Sequence, residues 1–302
     1  MSRALDGRVA VVTGGGKGLG RAFALHLAEA GAAVVVNNRN RQVDENGLGP
    51  ADHVVAEIVA RGGRAVANHD DVADPAIGEK LVADALEHFG RLDVLVTSAA
   101  VSAPQMAHKT SAENFGQVMA INVTGTVLPA AAAMAHMRQA GFGRVVLIAS
   151  TAGLHGETTV SAYAASKGAV IAFGRTAAVE GAGKNVLTNV VLPYATTQMT
   201  EAGMDPRHAD RMRSDLVAPL VTALSSPDST INGQVVVAAG SALRAADAVE
   251  WGTVGYDADE PLEPAALEQL LARSRDGEPH TFTHAQDAFQ SLAADLAASP
   301  TP

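Results

Sequence analysis

The sequence predicts an α/β fold, a doubly wound parallel sheet with helices on both faces. Three observations predict it: short β-branched runs alternate with Ala-rich helical stretches, those runs are apolar at nearly every position, and the first leads into a glycine-rich turn. A half-solvated strand would alternate apolar and polar residues, whereas continuous apolarity needs cover on both faces, which βαβ connections supply. With 302 residues, 47% hydrophobic and 18% charged, the chain is long enough to bury such a core.

The elements follow in order. Strands are read at Val9–Thr13, Val34–Asn37, Ala65–Asn68, Val94–Thr97, Val145–Ala149, Val186–Leu192 and Val235–Ala238. Helices fit between them at about Leu19–Ala30, Asp52–Arg61, Pro75–Phe89, Ala112–Gln139, Ala162–Gly181 and Pro206–Leu224. The polar insertion from Arg39 to Pro50 is long for a strand-to-helix loop and is expected over the adenosine end of a nucleotide. Residues 1–244 read as one catalytic domain. Residues 245–302, with Trp251, Tyr256 and a helical run near Pro264–Ser274, read as an extension packed on it and partly frayed at its end.

Composition excludes several functions. A net charge of -10 argues against a general nucleic-acid or anionic-membrane surface and disfavours free polyanionic CoA, unless Arg39, Lys109 or a C-terminal basic residue meets it. Without cysteine there is no disulfide, thiolate catalysis or cysteine-zinc site, and the ten histidines show no paired metal-ligand spacing, so no metal is expected. The first strand begins within a few residues of Met1, with no basic segment and apolar run ahead of it; a cytoplasmic location is expected. The apolar runs read as too short and too broken to cross a bilayer.

The turn Gly14-Gly15-Gly16-Lys17-Gly18-Leu19-Gly20 lies between a strand and a helix, where missing side chains let the backbone approach a pyrophosphate at the helix N-terminus. An acidic residue about 20 positions on would hold the ribose hydroxyls of NAD. Asn37-Asn38-Arg39 stands there instead. Arg39 and Lys17 then either meet a 2′-phosphate, which favours NADP(H) over NAD(H), or are solvated while Asp44 or Glu45 folds back onto the ribose. Asp71 and Val72 are expected beside the adenine.

Ser150 follows the strand Val145–Ala149, at a carboxyl end where open parallel sheets place their ligands. Tyr163 and Lys167, four apart, share one helix face. The Ser150 hydroxyl can hold the substrate oxygen, Tyr163 can pass the proton, and Lys167 can lower the phenol's pKa while binding the nicotinamide ribose. Asn122 sits among poor helix formers inside a long helical stretch, which predicts a local distortion. It can bind a water linking Lys167 to solvent, satisfy the kinked backbone, or do both. Ser98, Ala99 and Ala100 after the fourth strand are expected against the cofactor, and Pro193, Thr196 and Thr197 after the sixth against its nicotinamide carboxamide. The stretch from Gln198, Met199 and Thr200 to about Arg213 reads as a mobile lid.

On the Thr13-Gly14…Gly18…Gly20 turn, Asn122, Ser150, and Tyr163 with Lys167, the chain resembles the short-chain dehydrogenase/reductase family over roughly residues 5 to 240. Val34–Asn37, the insertion to Pro50, Gly62–Asn68 and Val217–Val221 are similar to the (3R)-hydroxyacyl-CoA dehydrogenase units of type 2 peroxisomal multifunctional enzymes, which handle acyl-CoA and steroid substrates. The resemblance implies a Rossmann sheet in the order 3-2-1-4-5-6-7, a small ketone or alcohol substrate, and a homo-oligomer, dimer or tetramer, built through the fourth and fifth helices. Three positions depart from the family pattern: Thr97-Ser98-Ala99-Ala100 replaces Asn-Asn-Ala-Gly, Tyr194 follows Pro193 in place of Gly, and Asn38 replaces an acidic residue. The expected activity is NADP(H)-linked interconversion of a secondary alcohol and a ketone on a hydrophobic acyl or steroid-like substrate. The alternatives are an NAD-linked 3-hydroxyacyl-CoA or hydroxysteroid dehydrogenase and a catalytically idle NADP(H) sensor.

Overall fold

The computed structural model describes residues 3–39, 42–197, 207 and 210–298. The chain divides into two compact units, one ending at Ala245 and the other starting at Ala246.

The first unit holds an eight-stranded sheet in the order β3-β2-β1-β4-β5-β6-β7-β8. Its strands are β1 Val9–Thr13, β2 Ala33–Asn37, β3 Arg64–Asn68, β4 Val94–Thr97, β5 Gly143–Ile148, β6 Val186–Tyr194, β7 Val235–Ala239 and β8 Ala242–Ala245. The first seven are parallel in the expected order, and β8 adds an antiparallel edge to β7. All residues of β1, β2, β4 and β5 are buried, which is why those runs lack polar alternation. Register aligns Thr13 with Asn37 and Thr97, and Asn37 with Asn68, so four carboxyl ends finish level and frame one crevice.

The helices are α1 Gly18–Glu29, α2 Pro50–Ala60, α3 Ile77–Phe89, α4 Ala112–Met119, α5 Gly125–Ala140, α6 Ala152–His155, α7 Ser161–Ala182 and α8 Ala218–Ser225. Between α4 and α5 the chain keeps winding as a π-helix over Ala120–Thr124, the distortion that the residues around Asn122 predict. Pro129 in α5 withholds the N–H that would bond the carbonyl one turn back, which loosens this region further.

Two expectations are corrected. A helix over Pro206–Leu224 is not what the described residues form: Pro206 lies outside them, Asp210–Met212 and Ser214–Leu216 are 3₁₀ turns, and the α-helix starts only at Ala218. Arg213 is extended (φ -63°, ψ 144°), and Pro219, lacking an N–H, is tolerated only in a helix's first turn. The apolar runs are not all short either. Ala112–Ala140 is long and apolar enough to cross a membrane by length and composition, but half of its most apolar window is buried within the protein, as in a core helix.

The unit from Ala246 onward contains helix α9, Pro264–Arg275, as expected, and helix α10, Ala285–Ala298, which the sequence reading missed. A bridge between Glu250 and His280 joins its extended segments.

Candidate active site

The glycine turn leaves β1 and enters α1. Gly14 takes the left-handed conformation (φ +64°), and a Cβ there would stand 2.7 Å from both N and Cα of Ala99. The Thr13 hydroxyl accepts the N–H groups of Ser98 (3.2 Å) and Ala99 (3.4 Å), holding the turn after β4 against the glycines. Close packing therefore survives the departure from Asn-Asn-Ala-Gly. Helix α1 starts at Gly18 with no side-chain cap from Lys17 and no acidic residue in its first turn, so its free N–H groups suit an anion.

A cleft of about 310 Å³ opens above these strand ends. Of the residues the sequence singled out, Gly14, Lys17, Gly18, Leu19, Gly20, Asn38, Arg39, Val72, Ser98, Ala99, Ala100, Tyr163, Lys167, Pro193 and Thr197 line it. Gly16 does not; its missing side chain instead lets the turn nest against Asn38 and Pro50. Thr196 pairs through its backbone with Met212 (2.6 Å) and is also off the wall. Gln198, Met199, Thr200 and most of the expected lid lie outside the described residues.

At the end beside β2, Arg39 Nη1 donates to Asp71 Oδ2 at 2.6 Å, so Asp71 anchors Arg39 and its neighbour Asp70 lines the cleft in its place. Asn37 donates to Asn68 Oδ1 (2.7 Å) and to the Asp70 carbonyl (3.0 Å), while its own Oδ1 is buried with no hydrogen-bond partner. Asp44 does not reach this wall: it accepts the N–H groups of Asn46 and Leu48 within its own turn and pairs with His53. The reading in which Asp44 folds back onto a ribose has no support.

At the other end, Ser150 leaves β5, and its hydroxyl stands near enough to the Tyr163 phenol to draw the phenol's pKa down. Lys167 is buried; its Nζ lies 5.6 Å from the Tyr163 ring centroid and donates to the Ile148 carbonyl at 2.9 Å. Burial pushes the Tyr163 phenol above its ordinary pKa, and the Ser150 hydroxyl only partly offsets it. Burial alone pushes the Lys167 ammonium down to about 8. Burial outweighs any lowering of the phenol's pKa, so the phenol holds its proton at pH 7.

Asn122 is fully buried, and its side chain clamps Val101: Oδ1 accepts the Val101 N–H at 2.8 Å and Nδ2 donates to the Val101 carbonyl at 2.9 Å. Nδ2 also donates to Ser166 Oγ at 2.9 Å, and Ser166 donates to the Tyr163 carbonyl at 2.7 Å. These bonds reach the segment after β4 and helix α7, not the distorted turn around Asn122 itself. Sequence reasoning missed Asn37, Asp70, Val101, Ile121, Ile148, Ala149 and Ala195 as cleft walls. Ile148 and Ala149 were findable as the residues before Ser150 on the same strand. It also missed the bond from Thr151 Oγ1 to the Tyr194 hydroxyl (2.8 Å), which joins the residues after Ser150 and Pro193.

A family model described as short chain dehydrogenase matches residues 8–208. The chain belongs to that family. It is an oxidoreductase acting on CH–OH groups with an NAD(P) cofactor. A protein of Mycobacterium tuberculosis named as a short-chain type dehydrogenase/reductase is 38% identical over 256 residues, 84% of this chain and 89% of that one. Peroxisomal multifunctional enzyme type 2 of Mus musculus is 35% identical over 284 residues, 92% of this chain but only 38% of the mouse protein. A crystal structure of a short chain dehydrogenase from Mycobacterium avium superposes with a TM-score of 0.78 at 33% identity, covering 92% of this chain and 98% of that one. The short-chain dehydrogenase resembles, as expected, the dehydrogenase part of the type 2 multifunctional enzymes.

Proposed function

We propose that this enzyme interconverts a secondary alcohol and a ketone using NADP(H), with Tyr163 as the proton donor and acceptor, on a hydrophobic acyl or steroid-like substrate. The carrying observation is the placement of Tyr163 with Ser150 and buried Lys167 at one end of the cleft whose other end holds the glycine turn. When bound, NADP(H) supplies the hydride. Ser150 holds the carbonyl oxygen, Tyr163 gives that oxygen its proton, and Lys167 holds the nicotinamide ribose and keeps positive charge near the phenol. Asn122 positions the Val101 segment beside them.

Lys17 and Arg39 on the cleft wall, with no carboxylate at the end of β2, support NADP(H). Asp71 occupies one N–H of Arg39 and leaves the guanidinium further donors for a 2′-phosphate. That same ion pair favours a second reading, NAD-linked oxidation of a 3-hydroxyacyl-CoA or hydroxysteroid, in which Arg39 only braces Asp71. A homo-oligomer built through the stretch Ala112–Ala140 and helix α7 belongs to the first proposal, supported by the long apolar stretch Ala112–Ala140, of whose most apolar window only half is buried. So does a cytoplasmic location, supported by the cysteine-free, acidic composition alone.

Titration with NADPH and NADH, with Arg39→Asp alongside, tests the cofactor assignment. Tighter NADPH binding that Arg39→Asp loses is the expected result. Equal or tighter NADH binding would transfer support to the NAD-linked reading.

A further inference from the structure

The strand exit that carries Ser150 also grips Lys167 at two points. The Lys167 ammonium donates to the carbonyl of Ile148, two residues before Ser150. Past Ser150 the chain turns at once: the Gly153 N–H donates to the Ser150 carbonyl at 2.9 Å, and the Ala152 N–H to Ser150 Oγ at 3.2 Å. Helix α6, only four residues long, then lies against α7.

Gly153 is the point of closest approach. A Cβ there would stand 2.5 Å from the carbonyl carbon of Lys167, 2.5 Å from Gly168 N and 2.9 Å from the Lys167 oxygen. All three are backbone atoms of a 22-residue helix and cannot swing aside as a side-chain tip would. Gly153 is not in the left-handed region, so space, not torsion, demands glycine. Gly168 faces the same contact from α7, yet its Cβ would meet only the Gly153 carbonyl oxygen at 3.4 Å, an ordinary contact.

We propose that Gly153 is a positioning residue for the reaction: by keeping the α6–α7 contact free of side-chain atoms, it fixes the separation of Ser150 from Tyr163 and Lys167. The inference rests on the roles proposed above for those three residues. Ordinary carbon contacts of about 3.5 Å would need α6 to retreat by about 1 Å, a misplacement that costs on the order of 100-fold in rate.

The test compares Gly153→Ala with Gly168→Ala in the full chain. It reads NADPH binding, turnover on the fastest substrate in a panel of cyclic ketones and 3-oxoacyl thioesters, and the titration of Lys167 Nζ by ¹⁵N NMR, tractable with five lysines. Gly153→Ala is expected to keep NADPH affinity within about threefold and to lose on the order of 100-fold in kcat. Its Lys167 titration, near 8 in the native protein, rises as water reaches the ammonium. Gly168→Ala leaves all three unchanged. Native kcat and titration in Gly153→Ala, or equal damage in Gly168→Ala, would overturn the proposal.

Should Gly153→Ala fail to fold, Ala152→Gly carries the test, because it adds no atom and only loosens α6. About a fivefold loss of kcat with NADPH binding intact is then expected, and no loss overturns the proposal. A native protein inactive on the whole panel would sink the functional reading alone, since the Lys167 titrations of the two glycine variants still decide the positioning claim.

Discussion

The residues up to Ala245 and those from Ala246 onward are built on opposite terms. The first unit buries whole strands and encloses a cleft, whereas no described residue of the second is buried. Residues 246–302 carry 11 Asp and Glu against 2 Arg, so nine of the chain's ten net negative charges sit there. The difference teaches where the chain's acidity acts. Read as an average, it argues against any polyanionic ligand; read by unit, it leaves the first nearly neutral, with Lys17 and Arg39 on the cleft wall. The overall charge is therefore no argument against a phosphorylated cofactor or a CoA thioester at that cleft.

Packing gives the sharpest way to break this comparison. Leu147 in β5 is fully buried, and Leu147→Ala is expected to lower unfolding free energy by about 3 kcal/mol, measured by urea denaturation. Arg144, also buried, donates to the carbonyls of Gly143, Asn185, Ser226, Pro227 and Ser229, and Arg144→Met should cost about 2 kcal/mol by leaving them unpaired. If either change were silent, the first unit would not be the stability-bearing one.

Charge at the cleft gives the next largest effect. Arg39→Asp should weaken NADPH binding by about 10-fold or more while leaving NADH within about threefold, measured by fluorescence titration. For pH the sign follows from the two buried groups. On the proposed mechanism reduction needs Tyr163 protonated and Lys167 charged; the raised phenol stays protonated well past neutrality, while Lys167 loses its charge near 8. The rate of reduction should hold below that pH and fall above it, by about tenfold per unit. A profile flat to pH 10 would remove Lys167 from the chemistry.

The smallest effect is expected in the second unit. Leu271 is 48% exposed, and Leu271→Ala should change stability by less than about 1 kcal/mol. A loss as large as that of Leu147→Ala would show that this unit has a partner surface in solution.

Legibility in the sequence follows the same division. Strands β1, β2, β4 and β5 were readable because burial on both faces leaves an apolar, largely β-branched run, and Ser150, Tyr163 and Lys167 because their spacing repeats a known family pattern. Strand β8 was not: Ala242–Ala245 is fully exposed and contains no β-branched residue. Helix α10 left a signal in Phe289, Leu292 and Leu296, three and four apart, which went unread among small and polar neighbours. The ion pair of Arg39 with Asp71 joins residues 32 apart, and the contact of Gly153 with Lys167 depends on how two helices meet. Neither spacing marks itself in one dimension.

The central claim is that Tyr163 gives the proton from a site whose cofactor cleft does not depend on the phenol's hydroxyl. Tyr163→Phe tests it most directly, with single-turnover reduction and NADPH titration on the same sample. The account predicts NADPH affinity within about threefold of native and a rate lower by on the order of 1,000-fold. Near-native turnover in Tyr163→Phe would contradict it.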